Sequence, residues 1–118
     1  MKTRKELREE YKQIKYRIGV FQIRNKLNGR IFVGSSLDLV AIWHASKLQL
    51  DLGIHSNSDL QKDWTVTGSG NFSYEILEEI KHSDDKPTDY GKEIKALEML
   101  LIETLQPFGN KGYNRINK

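Results

Sequence analysis

Candidate chemistry in this sequence includes histidines, carboxylates and basic side chains, and cysteine is absent. That excludes disulfides, thiolate metal sites and cysteine nucleophiles, and it fits a reducing cytoplasm. His55 stands two residues before Asn57. It either contacts phosphate or helps to cap a helix beginning there. The Asp84-Asp85 pair sits in a polar stretch without a third ligand, which does not make a dedicated metal site. Trp43 and Trp64 fall on apolar faces and read as core before base-stacking platforms. Residues 1–17 hold seven basic and three acidic side chains, and residues 107–118 hold three basic and none acidic. The stretch between them holds nine basic and 13 acidic. Positive charge therefore gathers at the two ends, where it could meet phosphates. A solvated charged helix with a charged tail would give the same distribution.

The elements that must position these groups can be read from periodicity. The chain has 118 residues, the size of one domain, with 37% hydrophobic and 30% charged residues, enough for one modest core. Residues 3–16 form a charged helix with Leu7, Tyr11 and Ile14 on a narrow apolar stripe. The N-terminus is too polar for a signal peptide, and no run is long and apolar enough to span a membrane. Residues 17–24 and 30–35 read as strands joined by turn chemistry around Asn28-Gly29. Ser36 or Asp38 caps a helix to about Leu52 that Gly53 stops, with Val40, Trp43 and Leu50 on one side. Asn57 or Ser58 caps a short helix bearing Leu60 and Trp64, ended at Gly68-Ser69-Gly70. Phe72, Tyr74 and Ile76 alternate as in a half-buried strand. After a polar loop at 82–86, Asp89 opens a last helix to Leu105, with Ile94, Leu97, Leu101 and Leu105 inward.

Gly19-Val20-Phe21 and Phe32-Val33-Gly34, on either side of the Asn-Gly hairpin, resemble the two signature tripeptides of the GIY-YIG nucleases. The resemblance continues through Gly53-Ile54-His55-Ser56-Asn57, Leu60-Gln61-Lys62-Asp63-Trp64, the strand at 72–79, Glu98 and Gly112-Tyr113-Asn114. It spans residues 17–114 as one domain, with helix 1–16 ahead of it and a basic tail at 115–118. It implies an α+β fold, a small central three-stranded antiparallel sheet flanked by helices. It also implies one divalent metal on a helix glutamate and hydrolysis of a phosphodiester. In such sites a motif tyrosine helps to activate water, a second tyrosine supports it, and an arginine offsets phosphate charge.

Carried over position by position, the resemblance puts both tyrosines on phenylalanines, Phe21 and Phe32, and the arginine on Ile42. A histidine one turn later falls on Ser46. Glu98 keeps the metal position, His55 the downstream histidine and Asn114 the late asparagine. Without the family position, Glu98 reads as a solvated helix residue. Phenyl rings and an alkane cannot relay a proton or neutralise a phosphoryl oxygen. A lone Glu98 suits Mg²⁺ or Mn²⁺ that keeps most of its waters and is bound weakly. Phe21, Phe32 and Ile42 would instead form a small apolar patch that stacks bases, docks a partner or extends the core. Lys47, on the same helix, could reach round as a point charge.

These readings lead to a family member that binds nucleic acid, DNA before RNA, through Lys47, Asn114 and Arg115, with hydrolysis impaired or absent. An active, atypical Mg²⁺-dependent endonuclease using Lys47, His44 or His55 is one alternative. A protein–protein interaction module on the same fold is the other.

Overall fold

The computed structural model describes residues 16–81 and 90–115. The expected N-terminal helix, the loop carrying Asp84-Asp85, the helix start at Asp89 and most of the basic tail lie outside these residues. Strand β1 (Ile18–Asn25) runs antiparallel to β2 (Ile31–Ser36) on one side and to β3 (Phe72–Ile80) on the other. The sheet order is β2-β1-β3. Helices α1 (Leu39–Leu52), α2 (Ser58–Thr67) and α3 (Tyr90–Leu105) flank it. This is the α+β architecture expected from the sequence.

Turn chemistry closes the first hairpin through side chains. Asn25 Oδ1 accepts the Leu27 N–H, Asn28 Oδ1 accepts the Arg30 N–H, and Gly29 takes a left-handed φ of 77°. Asp38 caps α1 by accepting the Ala41 N–H, and Gly53 ends it with φ 79°. The inward row of α1 differs from expectation by one residue. Leu39, Ser46 and Leu50 are buried with Trp43 half-buried, whereas Val40 is 51% exposed. Spacing explains this: 39, 43, 46 and 50 form one helical row, and Val40 lies about 100° off it. Leu105, expected inward on α3, is exposed at the helix end, while Ile94 is buried.

The two faces of the sheet carry different cores. Phe21, Ile23 and Phe72 point toward α1 and α2, where Leu39, Leu50, Leu60, Trp64 and Tyr113 complete a buried cluster. Alternation sends Val20 and Val33 to the opposite face, which α3 crosses. At the centre, Val20 pairs with Glu78 but Phe21 with Ile76, leaving Leu77 as a bulge in β3. Gly19 faces this bulge with φ 156°, and a β-carbon there would overlap the Glu78 carbonyl.

Candidate functional site

A cavity of about 360 Å³ opens at the outer edge of β2. Its lining takes Phe21, Phe32 and Gly34 from one face of the sheet and Val33 and Ser35 from the other. Ile42, Ser46 and Gln49 come from α1, His55 and Ser56 from the link to α2, and Glu98 from α3. Asn114 closes it. The structure thus brings together residues singled out from the sequence: Phe21, Phe32, Ile42, Ser46, His55, Glu98 and Asn114. A second cavity of about 320 Å³ adjoins it, sharing Phe32, Ser56 and Asn114 and adding Asn57 and Arg115. Lys47 is exposed and lines neither cavity; His44 sits elsewhere, with Tyr16, Arg17, Asp38, Val40 and Ala41.

Phe21 is only 3% exposed and belongs to the core, with Phe32 and Ile42 half-buried against it. The three positions therefore extend the core and do not form an open apolar patch. The Phe21 ring lies over Gly34, where a β-carbon would come within 2.6 Å of Cζ. Phe32 tilts against Phe21 at 6.5 Å between centroids and meets the His55 ring edge-on at 5.9 Å.

His55 does capping work. Its Nδ1 accepts the Asn57 N–H at 3.0 Å, so the neutral ring carries its proton on Nε2. Burial lowers its pKa, favouring that neutral form. Its backbone N–H donates to Gln61 Oε1, and Gln61 Nε2 donates to the Leu50 carbonyl. Asn57 Oδ1 caps α2 at Leu60, while Asn57 Nδ2 donates to the Tyr113 carbonyl at 2.7 Å.

Asn114 is also committed. Its Oδ1 accepts the Val33 N–H and its Nδ2 donates to the Val33 carbonyl, at 2.8 and 2.9 Å. Its amide thus extends the edge of β2. Arg115 Nη2 donates to Ser58 Oγ at the start of α2. Beside this, Tyr113 is buried: its hydroxyl donates to Asp63 Oδ2 and accepts from Asn25 Nδ2, and Arg30 stacks on its ring at 4.3 Å. Sequence reading missed this network, since neither period nor motif joins residues 25, 30, 63 and 113.

Ser35, Gln49 and Ser56 are cavity residues that sequence reading also missed. Ser35 Oγ is buried with no hydrogen-bond partner. Its place directly after Phe32-Val33-Gly34 was the only signal.

The acidic group is Glu98, whose side chain is 16% exposed and pairs with Lys95 Nζ at 3.3 Å. Among the described residues no three His, Cys, Asp or Glu side chains could share a metal ion. One paired carboxylate and an imidazole with Nδ1 occupied do not fit a metal held by protein alone. They fit a hydrated ion recruited together with phosphate. No helix among the described residues is long and apolar enough to cross a membrane.

No family model matches the chain. Over 67 residues, 57% of its length, it is 37% identical to Intron-associated endonuclease 1 of Enterobacteria phage T4. The chain spans about a quarter of that relative, 27% of its length. Among solved structures it is similar to the catalytic domain of homing endonuclease I-TevI, with a TM-score of 0.69 and 32% identity. That match covers 85% of this chain and 99% of the other. A variant of the same catalytic domain matches at TM-score 0.69 and 31% identity, over 83% of this chain and 92% of its own.

Proposed function

The chain belongs to the GIY-YIG nuclease family, and from that premise we propose that it binds nucleic acid along its joined cavities with phosphodiester hydrolysis impaired or absent. One observation carries this reading. The cavity that holds Glu98 presents phenyl rings and an alkyl chain at Phe21, Phe32 and Ile42, where the resemblance calls for two hydroxyls and a guanidinium. Losing a positioned acid or base costs about 10²–10⁴ in rate. Losing an electrostatic donor costs about 10²–10³.

Among the described residues, the candidate groups are committed elsewhere. His55 Nδ1 is occupied by the Asn57 N–H. The Tyr74 and Tyr113 hydroxyls donate to the Leu39 carbonyl and to Asp63, and burial pushes both up to about 12. Mg²⁺ or Mn²⁺ would be held by Glu98, water and bound phosphate together, and so only weakly by the free protein. When bound, it would supply positive charge to phosphoryl oxygens. The phosphate chain, DNA before RNA, meets Arg115 in the adjoining cavity.

The test is restoration. Phe21→Tyr, Phe32→Tyr and Ile42→Arg together should raise Mg²⁺-dependent plasmid nicking by about 10²-fold or more over wild type. Glu98→Ala should abolish that gain. Efficient nicking by the wild type that disappears in Glu98→Ala would overturn the proposal.

A further inference from the structure

We propose that residues 1–15 of this chain dock antiparallel along the outward face of α1, covering an apolar row that the described residues leave open. This face is separate from the nucleic-acid cavities, and its occupancy stands or falls without them.

Helical spacing sets the row. Ala41, His44, Leu48 and Leu52 follow one another at steps of three, four and four residues, with Leu37 just ahead of the helix. Residues so spaced share one side of a helix. All five are exposed, and the three leucines are each more than half exposed. At 100° per residue Leu48 points about 160° away from Ser46, which lines the Glu98 cavity. The row is therefore the back of the helix that walls that cavity. Leucines in line make a continuous apolar strip, which single scattered exposures do not.

The occupant follows from where the chain enters. The Leu39 N–H donates to the Arg17 carbonyl at 2.8 Å, anchoring the residue after Tyr16 to the first turn of α1. Tyr16 and Arg17 there line an open hollow of about 390 Å³ with Asp38, Val40, Ala41 and His44. The segment that precedes Tyr16 thus starts at one end of the row. Its sequence carries a matching pattern, Leu7, Tyr11 and Ile14, at steps of four and three. Such a narrow stripe is the seam of two paired helices and needs a second stripe to bury it. As a helix, the 15 residues would span about 22 Å, against about 21 Å for the 14 residues of α1. With Tyr16 beside Ala41 and His44, an antiparallel course sets Ile14 opposite His44, Tyr11 opposite Leu48 and Leu7 opposite Leu52. A second copy is the weaker occupant. Direct attachment holds the segment at an effective concentration on the order of millimolar, which a separate molecule must exceed.

The chain has no cysteine, so introduced pairs report contact without background. In a glutathione redox buffer, the full chain with Tyr11→Cys and Leu48→Cys should form its internal disulfide readily. Its effective concentration should be at least about tenfold above that of Tyr11→Cys with Met99→Cys. Met99 is the control because it is exposed on α3, across the sheet. Leu7→Cys with Leu52→Cys should match the first pair, whereas Leu7→Cys with Ala41→Cys should fall to the control level. Adding Leu48→Asp to the Leu7–Leu52 pair should lower its effective concentration about tenfold, and adding Met99→Asp should leave it unchanged. The substituted positions on α1 and α3 are exposed, so these changes leave the core intact. Equal cross-linking at Leu48 and Met99, or no effect of Leu48→Asp, overturns the proposal. Disulfides between molecules in place of internal ones would show the row covered by a second copy. A preference of Leu7 for Ala41 over Leu52 would show a parallel course. Either result overturns it as well.

Discussion

At position 34 the limit on side-chain size comes from across the strand pair. Gly34 is the cross-strand partner of Phe21, and the phenyl ring folds over it. The glycine of the second tripeptide is therefore a consequence of the aromatic ring of the first. The two tripeptides act as one packing unit, and the ring is needed there whether or not it bears a hydroxyl. This is why phenylalanine can stand at position 21 without loss of fold. Gly34→Ala should place its methyl against Phe21 Cζ and destabilise the protein by about 1–3 kcal/mol. The cost should shrink in a Phe21→Leu background, where the clashing ring atoms are gone. Urea midpoints for the four members of that cycle measure the coupling. An unchanged cost in the leucine background would mean that strain elsewhere in β2 is responsible.

Between elements, joints are made by side-chain amides, that of Asn57 among them. It caps α2 and also ties the helix start to the Tyr113 carbonyl in the closing segment. Asn57→Ala removes a cap and strands a buried carbonyl, so it should cost about 2–3 kcal/mol. Asn57→Ser keeps a capping hydroxyl and should recover about half of that loss. If both substitutions cost the same in denaturation, the cap contributes nothing measurable. Residues of this kind also show what could be read in advance. The hairpin, the capped helices and the alternating strand were legible because local chemistry dictates them: Asn28-Gly29, Asp38, Asn57 and the Phe72-Tyr74-Ile76 alternation. Resemblance placed Phe21, Phe32, Ile42, His55 and Glu98 in one site, and the structure brings them into one cavity. The Asn25–Tyr113–Asp63 network was not legible, since it joins residues up to 88 positions apart. Nor was the commitment of Asn114, whose amide is spent on Val33. Lys47 has the reach along its helix that the sequence suggests, yet the cavity is lined without it.

Across the whole molecule, two tyrosine hydroxyls act as ties between distant parts of the chain. Tyr74 Oη in β3 donates to the Leu39 carbonyl at the start of α1, at 2.6 Å. Its ring stacks on Trp43 and tilts against Phe21, carrying the aromatic core from the sheet to the helix. Tyr113 Oη joins the closing segment to α2 through Asp63, while accepting from Asn25 at the hairpin. Burial raises both phenols from 10.0 to about 12. A phenol raised in the folded state keeps its proton where the unfolded chain has already lost it. The stabilisation it reports is full below pH 10 and declines as pH rises toward 12. Alkaline titration should therefore unfold the protein across that window, with up to one proton released per tyrosine. Tyr74→Phe and Tyr113→Phe should each lower stability at pH 8, since the Leu39 carbonyl or the part-buried Asp63 carboxylate loses its donor. Each should also flatten the decline between pH 10 and 12 relative to wild type. Urea denaturation at pH 8, 10 and 11.5 separates the two effects. A variant that loses stability at pH 8 but keeps the full alkaline slope would show that lysine deprotonation, and not these phenols, governs the high-pH limit.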